Sequence, residues 1–182
     1  MSRRLQALSY DALIFRFTPT TFDWDMQVAK LSKSSKPEVK TIGICWTLRT
    51  MPEEVLARAP SLDIYVRHEY EVVAPQLIDT LANGNDLAQV PGTTYRQADS
   101  KVHSPDAQLI ADYDSLPIPA YDLLPGFKNY FINTPAGKPF TIMYTSKGCP
   151  YSCIFCTVAR TKWKKRSAPS ILEELKYLKQ NY

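Results

Sequence analysis

The chain has 182 residues, 45% of them hydrophobic, and a formal net charge of +4. That length suits one ordinary domain, or a small domain with part of another, and the apolar content excludes wholesale disorder. A charge so mild does not point to nucleic acid, and no run of about 18 apolar residues predicts a membrane span.

The opening MSRRLQALSYDALIFRF has a short basic run but no small-residue cleavage site, so no secretory signal is expected. Ala12 to Phe17 (ALIFRF) reads as a strand and FDWDMQVAKLSKSS as a helix, with Trp24, Val28 and Leu31 along one face. Val39 to Cys45 (VKTIGIC) predicts a buried strand. PEEVLARA, with proline and two acids at its start, predicts a helix. Leu62 to Val66 (LDIYV) is a third strand, and YEVVAPQLIDTLANG a helix stopped by Asn83-Gly84. Strands alternating with helices imply an α/β fold, a Rossmann-like parallel sheet.

From about Leu87 to Phe140 the character changes. TTYRQADSKVH suits a small hairpin, and Pro105, Pro117, Pro119, Pro125, Pro135 and Pro139 then punctuate an extended, apolar linker. FTIMYTSKG reads as a strand ending at Gly148, followed by three clustered cysteines and the basic run RTKWKKR, expected to be a solvated loop. In the last segment Ser170 and Glu173 fit a capping box, and Leu172, Leu175 and Leu178 an apolar stripe. The predicted organisation is a Rossmann-like domain over 1–86, a hairpin and Pro-rich linker over 87–140, and a strand, thiol loop and helix over 141–182.

The thiols carry the most chemistry. Cys149, Cys153 and Cys156 lie in KGCPYSCIFC at the spacing C-x-x-x-C-x-x-C. Structural zinc takes four protein ligands, and here the fourth would be the distant Cys45, His68 or His103. A disulfide would leave one thiol over. With four cysteines, three of them together, the chain does not resemble a secreted disulfide scaffold, and the cytoplasm is the expected compartment. Three thiolates suit a metal centre that keeps one position for a non-protein ligand, as an iron–sulfur cluster can. A zinc-binding or vestigial loop on a non-catalytic scaffold module is the competing reading.

This stretch resembles the cluster loop of the radical S-adenosylmethionine superfamily. Cys149, Cys153 and Cys156 match the ligand positions for a 4Fe-4S cluster, and Phe155 matches the aromatic beside the adenine of S-adenosylmethionine. The lead-in Thr145-Ser146-Lys147-Gly148 and the run Arg166-Ser167-Ala168-Pro169-Ser170 are similar to the family too. The resemblance implies that the free iron chelates S-adenosylmethionine and that one electron, from a reductant such as flavodoxin or ferredoxin, cleaves the sulfonium bond. The resulting deoxyadenosyl radical would act on a small-molecule or peptide substrate. Upstream, SYDALIFRFTPTTFDWDMQVAKLSKSSKPEVKTIGI, PEEVLARAPSLDIYVRHEYE and LIADYDSLPIPAYDLLP resemble the class whose barrel follows a cobalamin-binding domain, which implies methyl transfer or radical rearrangement.

The chain departs from that class at several points. It has no D-x-H-x-x-G loop to ligate cobalt, Ile44 and Cys45 stand where a Gly-Gly pair is common, and His68 replaces a family glycine in Arg67-His68-Glu69-Tyr70-Glu71. Larger side chains there are expected to crowd a corrin ring, so cobalamin is a possible but disfavoured cofactor. His68 reads as a structural residue, not a cobalt ligand. A barrel needs about 200 residues or more, and 42 follow Phe140, so the chain reads as a fragment whose catalysis alone is in question. A likeness of the thiol loop and basic run to tRNA methylthiotransferases is a further reading, but those carry additional upstream cysteines and here Cys45 stands alone. Asp63, Glu69 and Glu71 read as caps, and Trp24 and Trp46 as packing residues.

Overall fold

The computed structural model describes residues 2–98, 100–124, 126 and 140–182. The chain divides into two compact units, residues 1–110 and 111–182.

The first unit holds a five-stranded sheet in the order β1 (Ala12–Arg16), β2 (Lys40–Ile44), β3 (Ile64–Val66), β4 (Thr93–Gln97) and β5 (Ser100–His103). The first three strands run parallel, with Ile14 opposite Ile42 and Ile42 opposite Ile64. The crossovers are α2 (Phe22–Ser35), after the short α1 (Ser2–Ala7), and α3 (Pro52–Arg58). The expected hairpin forms, and β4 pairs antiparallel with β3, Tyr65 facing Thr94, so the sheet is mixed. The helix α4 (Tyr70–Ala82) ends at Asn83, with Gly84 at φ +67°, as its stop signal implied.

Alternation along the strands sends side chains to two cores, one on each face. Phe17, Cys45, Leu62 and Tyr65 pack with Phe22 and Met26 of α2 and with Val55 and Leu56 of α3. Ile42, Ile44, Ile64 and Val66 pack on the other side with Val73 and Leu77 of α4 and with Tyr95. Gly43 is where the first core comes closest to the sheet, because a Cβ there would lie 2.9 Å from the Phe17 ring.

Two expectations about this unit are corrected. The buried stripe of α2 is Phe22, Met26, Ala29 and Ser32, while Trp24 is 80% exposed. The seam at i, i+4 and i+7 that faces β1 is set one step away from the tryptophan. Asp63 is not a cap: its Oδ2 accepts from the Thr41 amide (2.8 Å) and Thr41 Oγ1 (3.0 Å) and pairs with Lys33 (2.7 Å). It therefore ties the start of β3 to β2 and α2. Arg96 of β4 supplies the cap that α3 needs, donating to the carbonyls of Leu56 and Ala59 in its last turn.

The second unit contains the hairpin β6 (Ser146–Cys149) and β7 (Thr161–Lys165) and the helix α5 (Ala168–Asn181). The strand expected over Phe140 to Gly148 begins only at Ser146. Its ladder ends where Arg166 N donates to Thr145 O, because β7 gives way at once to α5. The basic run is accordingly a strand and not a loop. Ser167, not Ser170, caps α5, accepting from the Ser170 amide with Pro169 in the first turn.

The anticipated leucine stripe of α5 is also turned. Leu172 and Leu175 are exposed, whereas Glu174 is 1% exposed. Glu174 is paired with Arg166, and its other oxygen accepts from the Tyr121 hydroxyl (2.5 Å). Arg166 also donates to Ser170 O and Tyr144 O. Tyr121 stacks near Tyr177 and meets Tyr182 edge-on, and Asp114 accepts from Ser167 N (2.9 Å). The apolar bridge of residues 111–124 is thereby fastened to the helix that follows the thiol loop. The prolines at 125, 135 and 139 lie outside the described residues.

Candidate metal centre

The thiol loop joins the two strands of the β6–β7 hairpin. Cys149 is the last residue of β6 and faces Thr161, the first of β7. Thr161 Oγ1 accepts from the Cys149 amide (2.9 Å) and donates to Val158 O (2.8 Å), so one hydroxyl closes both ends of the loop. Between them the backbone turns repeatedly: Cys156 N donates to Cys153 O (3.2 Å), Ala159 N to Cys156 O (3.1 Å) and Arg160 N to Tyr151 O (2.8 Å). Arg160 adopts φ +56° to complete the reversal.

Gly148 is the residue this geometry cannot replace. Its φ is +93°, and a Cβ there would stand 2.2 Å from Lys162 O and 2.9 Å from Trp163 Cα. A side chain would collide with the backbone of β7, which no rotamer relieves. The glycine before the first cysteine, noted in the sequence as part of a resemblance, thus has a steric cause.

Cys149, Cys153 and Cys156 are all free thiols, and Cys153 is exposed. Among the described residues no three His, Cys, Asp or Glu side chains already stand together as a metal cage. The structure therefore joins the three cysteines through one closed loop but does not gather their sulfurs. Tyr151, Ser152, Ile154 and Phe155 are exposed, with Ile154 102% and Phe155 87% accessible, so drawing the sulfurs together unpacks no core. As a donor set, three thiols in eight residues fit a centre that takes three thiolates.

Cys45, the candidate fourth zinc ligand, is buried in the core of the first unit, with Sγ 3.1 Å from Thr47 Oγ1. His103 bonds Thr94 Oγ1 and Glu53. His68 is half-buried, 3.6 Å from Asp106, and burial holds its pKa below the usual histidine range. Among the described residues none of the three is held in a cluster of ligating groups.

Sequence reasoning missed Thr161, Glu174 and Tyr121. A threonine opening a basic strand carries no distinguishing signal. Glu174 sits among leucines on a helix, where an acid reads as solvent-facing until its arginine is found.

No protein-family model matches the chain. It is 33% identical over 158 residues to an uncharacterised methyltransferase of Pyrococcus horikoshii, covering 85% of this chain and 34% of that protein. It is 30% identical over 139 residues to the cobalamin-dependent radical SAM methyltransferase TokK of Streptomyces tokunonensis, covering 74% of this chain and 20% of that one. Among solved structures, the radical S-adenosylmethionine methyltransferase TsrM from Kitasatospora setae, with cobalamin and a [4Fe-4S] cluster bound, matches at a TM-score of 0.68 and 16% identity, over 97% of this chain and 36% of that one. The cobalamin-dependent S-adenosylmethionine radical enzyme OxsB, with aqua-cobalamin and S-adenosylmethionine bound, matches at 0.62 and 20%, over 96% of this chain and 24% of that one. The chain thus spans about a third or less of the length of the proteins it matches.

These likenesses correct the expectation that cobalamin is disfavoured. TsrM and OxsB, whose fold this chain shares, are each solved with cobalamin bound. The side chains expected to crowd a corrin do not stand free at the strand ends: Ile44 packs into one core and Cys45 into the other. His68 is turned to Asp106. Sequence showed their size, and only the fold showed their direction. By sequence this chain is similar to a cobalamin-dependent radical S-adenosylmethionine methyltransferase, and it shares its fold with TsrM and OxsB.

Proposed function

We propose that this chain is the cobalamin-domain and barrel-opening part of a radical S-adenosylmethionine enzyme that performs methyl transfer or a radical rearrangement. Residues 1–86 belong to the cobalamin-type domain, 87–140 to the hairpin and bridge, and 141–182 to the first βα unit of the barrel. Cys149, Cys153 and Cys156 hold a 4Fe-4S cluster, and Phe155 lies beside the nucleoside of S-adenosylmethionine. When bound, the cluster supplies the electron that cleaves the sulfonium bond. Gly148 lets β7 approach the first thiol, and Thr161 anchors the Cys149 amide. Cobalamin is taken at the carboxyl ends of β1, β2 and β3, where parallel sheets of this kind receive ligands. The substrate is a small molecule or a peptide, the reductant is a flavodoxin or ferredoxin, and the compartment is the cytoplasm. Among the described residues no helix is long and apolar enough to cross a membrane.

The observation that carries this reading is three free thiols on one closed, exposed loop behind a glycine that admits no side chain. Anaerobic reconstitution with iron and sulfide tests it. About four irons per chain are expected, with a brown absorbance lost in the Cys149→Ala, Cys153→Ala, Cys156→Ala variant. One zinc per chain and no colour would favour the scaffold module instead. Titration with aqua-cobalamin, followed by its visible spectrum, tests the first unit separately.

A further inference from the structure

The charge of this chain is unevenly distributed. Eight basic and two acidic residues follow residue 139, so 140–182 carries +6 while 1–139 carries −2. From Phe140 to Leu172 there are six basic residues and no acid. Of these, Arg166 is neutralised by Glu174. Lys147, Arg160, Lys162, Lys164 and Lys165 all lie on the β6–β7 hairpin or at its loop end, and of these Arg160, Lys162 and Lys165 are exposed.

The pairing concentrates that charge. Lys147 lies directly opposite Lys164, and Lys165 continues the ladder opposite Ser146. Like charges facing each other across strands oppose pairing, so the hairpin forms despite them. Lys164 rests over the Tyr113 ring (5.7 Å). Arg160, Lys162 and Lys165 are exposed, as are Tyr151 and Trp163 beside them. The hairpin thus exposes basic side chains together with Tyr151 and Trp163, and aromatic residues and arginine are enriched at protein interfaces. It also begins at a thiol: Cys149 N donates to Thr161, the residue before Lys162.

We propose that the β6–β7 hairpin, through Arg160, Lys162 and Lys165, is the docking surface for an acidic one-electron carrier protein. This rests on the proposed cluster, which needs an electron that the chain does not itself supply. One electron leaves the reduced carrier and enters the cluster, with no bond made or broken and no proton required. A single hairpin offers a small surface, and transient redox encounters are the small-interface class. Charge complementarity there raises the encounter rate, by about tenfold or more at low salt, without making the complex long-lived. Nucleic acid would meet the same charge, but it has no need to arrive beside a thiol.

The test uses the reconstituted full chain and an acidic flavodoxin as the probe. The hairpin variant is Lys162→Glu with Lys165→Glu. The charge-matched control is Lys176→Glu with Lys179→Glu on α5. Binding of oxidised flavodoxin, and the rate at which reduced flavodoxin bleaches the cluster, should each fall about tenfold or more in the hairpin variant and much less in the control. Both effects should shrink as salt is raised, and reduction by dithionite should be unchanged. An equal loss in the two variants, no flavodoxin binding to the parent chain, or tighter binding of a single-stranded RNA oligomer would each overturn the docking surface. Iron content reports on the cluster separately. An iron-loaded chain without hairpin-dependent binding overturns the docking alone, whereas hairpin-dependent binding to a chain that takes no iron overturns the electron-accepting role.

Discussion

At the scale of single residues, the described structure rests on a few positions whose chemistry allows no substitute. Gly148 is one: its φ of +93° and the carbonyl of Lys162 2.2 Å from any Cβ mean that Gly148→Ala must part β6 from β7. Strain of that kind costs about 1–3 kcal/mol locally, and iron retained after reconstitution should drop to the level of the triple cysteine variant. Retention of the full iron content by Gly148→Ala would show that the hairpin does not position Cys149. Glu174 is another. Truncating it to alanine leaves Arg166, a guanidinium only 14% exposed, without its partner, and removing one member of a buried pair costs about 3–5 kcal/mol. Thermal unfolding followed by near-ultraviolet dichroism should show that loss, with Glu174→Gln milder because its amide oxygen still accepts from Tyr121.

Two buried phenols give the chain an alkaline limit. Burial raises the pKa of Tyr65, with the neighbouring Cys45 adding to it. Burial and then the hydrogen bond to Glu174 raise that of Tyr121. The folded chain keeps both protonated while the unfolded chain ionises them near their ordinary value of about 10. Their contribution is therefore complete below about pH 10 and declines as pH climbs above it. Tyr65→Phe and Tyr121→Phe should each flatten the fall in stability above pH 10. Ultraviolet titration of the folded parent should leave at least Tyr65 and Tyr121 un-ionised until unfolding begins.

Among the elements, the helices illustrate how a face is chosen. In α2 the seam is Phe22, Met26 and Ala29, so Met26→Ala should cost about 2–5 kcal/mol. Trp24→Gln, at an exposed site, should stay within about 0.5 kcal/mol of the parent in a urea melt. The same contrast holds in α5, where Leu172→Gln and Leu175→Gln should be nearly neutral in this chain. In both helices the sequence carries enough apolar residues for more than one stripe. Periodicity alone does not choose between stripes, because the choice depends on which neighbour the helix meets. In α5 that neighbour is Arg166, which draws Glu174 inward.

Across the whole molecule, the chain is two units of different character. The first is a mixed sheet with a core on either face, and the second is a basic hairpin and helix fastened to an apolar bridge by Tyr121 and Asp114. The strands of the first unit, their alternation with helices, the stop at Gly84 and the trio of thiols were all legible in the residues themselves, whereas β7 was not. Each depends on chain-local properties: apolar runs, turn chemistry and the reach of neighbouring side chains. What required the fold was every contact between residues distant in sequence. The pairing of β4 with β3, Asp63 on Thr41, the inward turn of Cys45 and the burial of Glu174 span 20 to 53 positions. A sequence records which side chains a residue carries, but its direction is settled only when another segment arrives to cover it. By itself the sequence determined that this chain carries three closely spaced thiols and an α/β sheet. Tertiary packing alone decided that Ile44 and Cys45 turn into the two cores, because direction, unlike size, is a property of the assembled core.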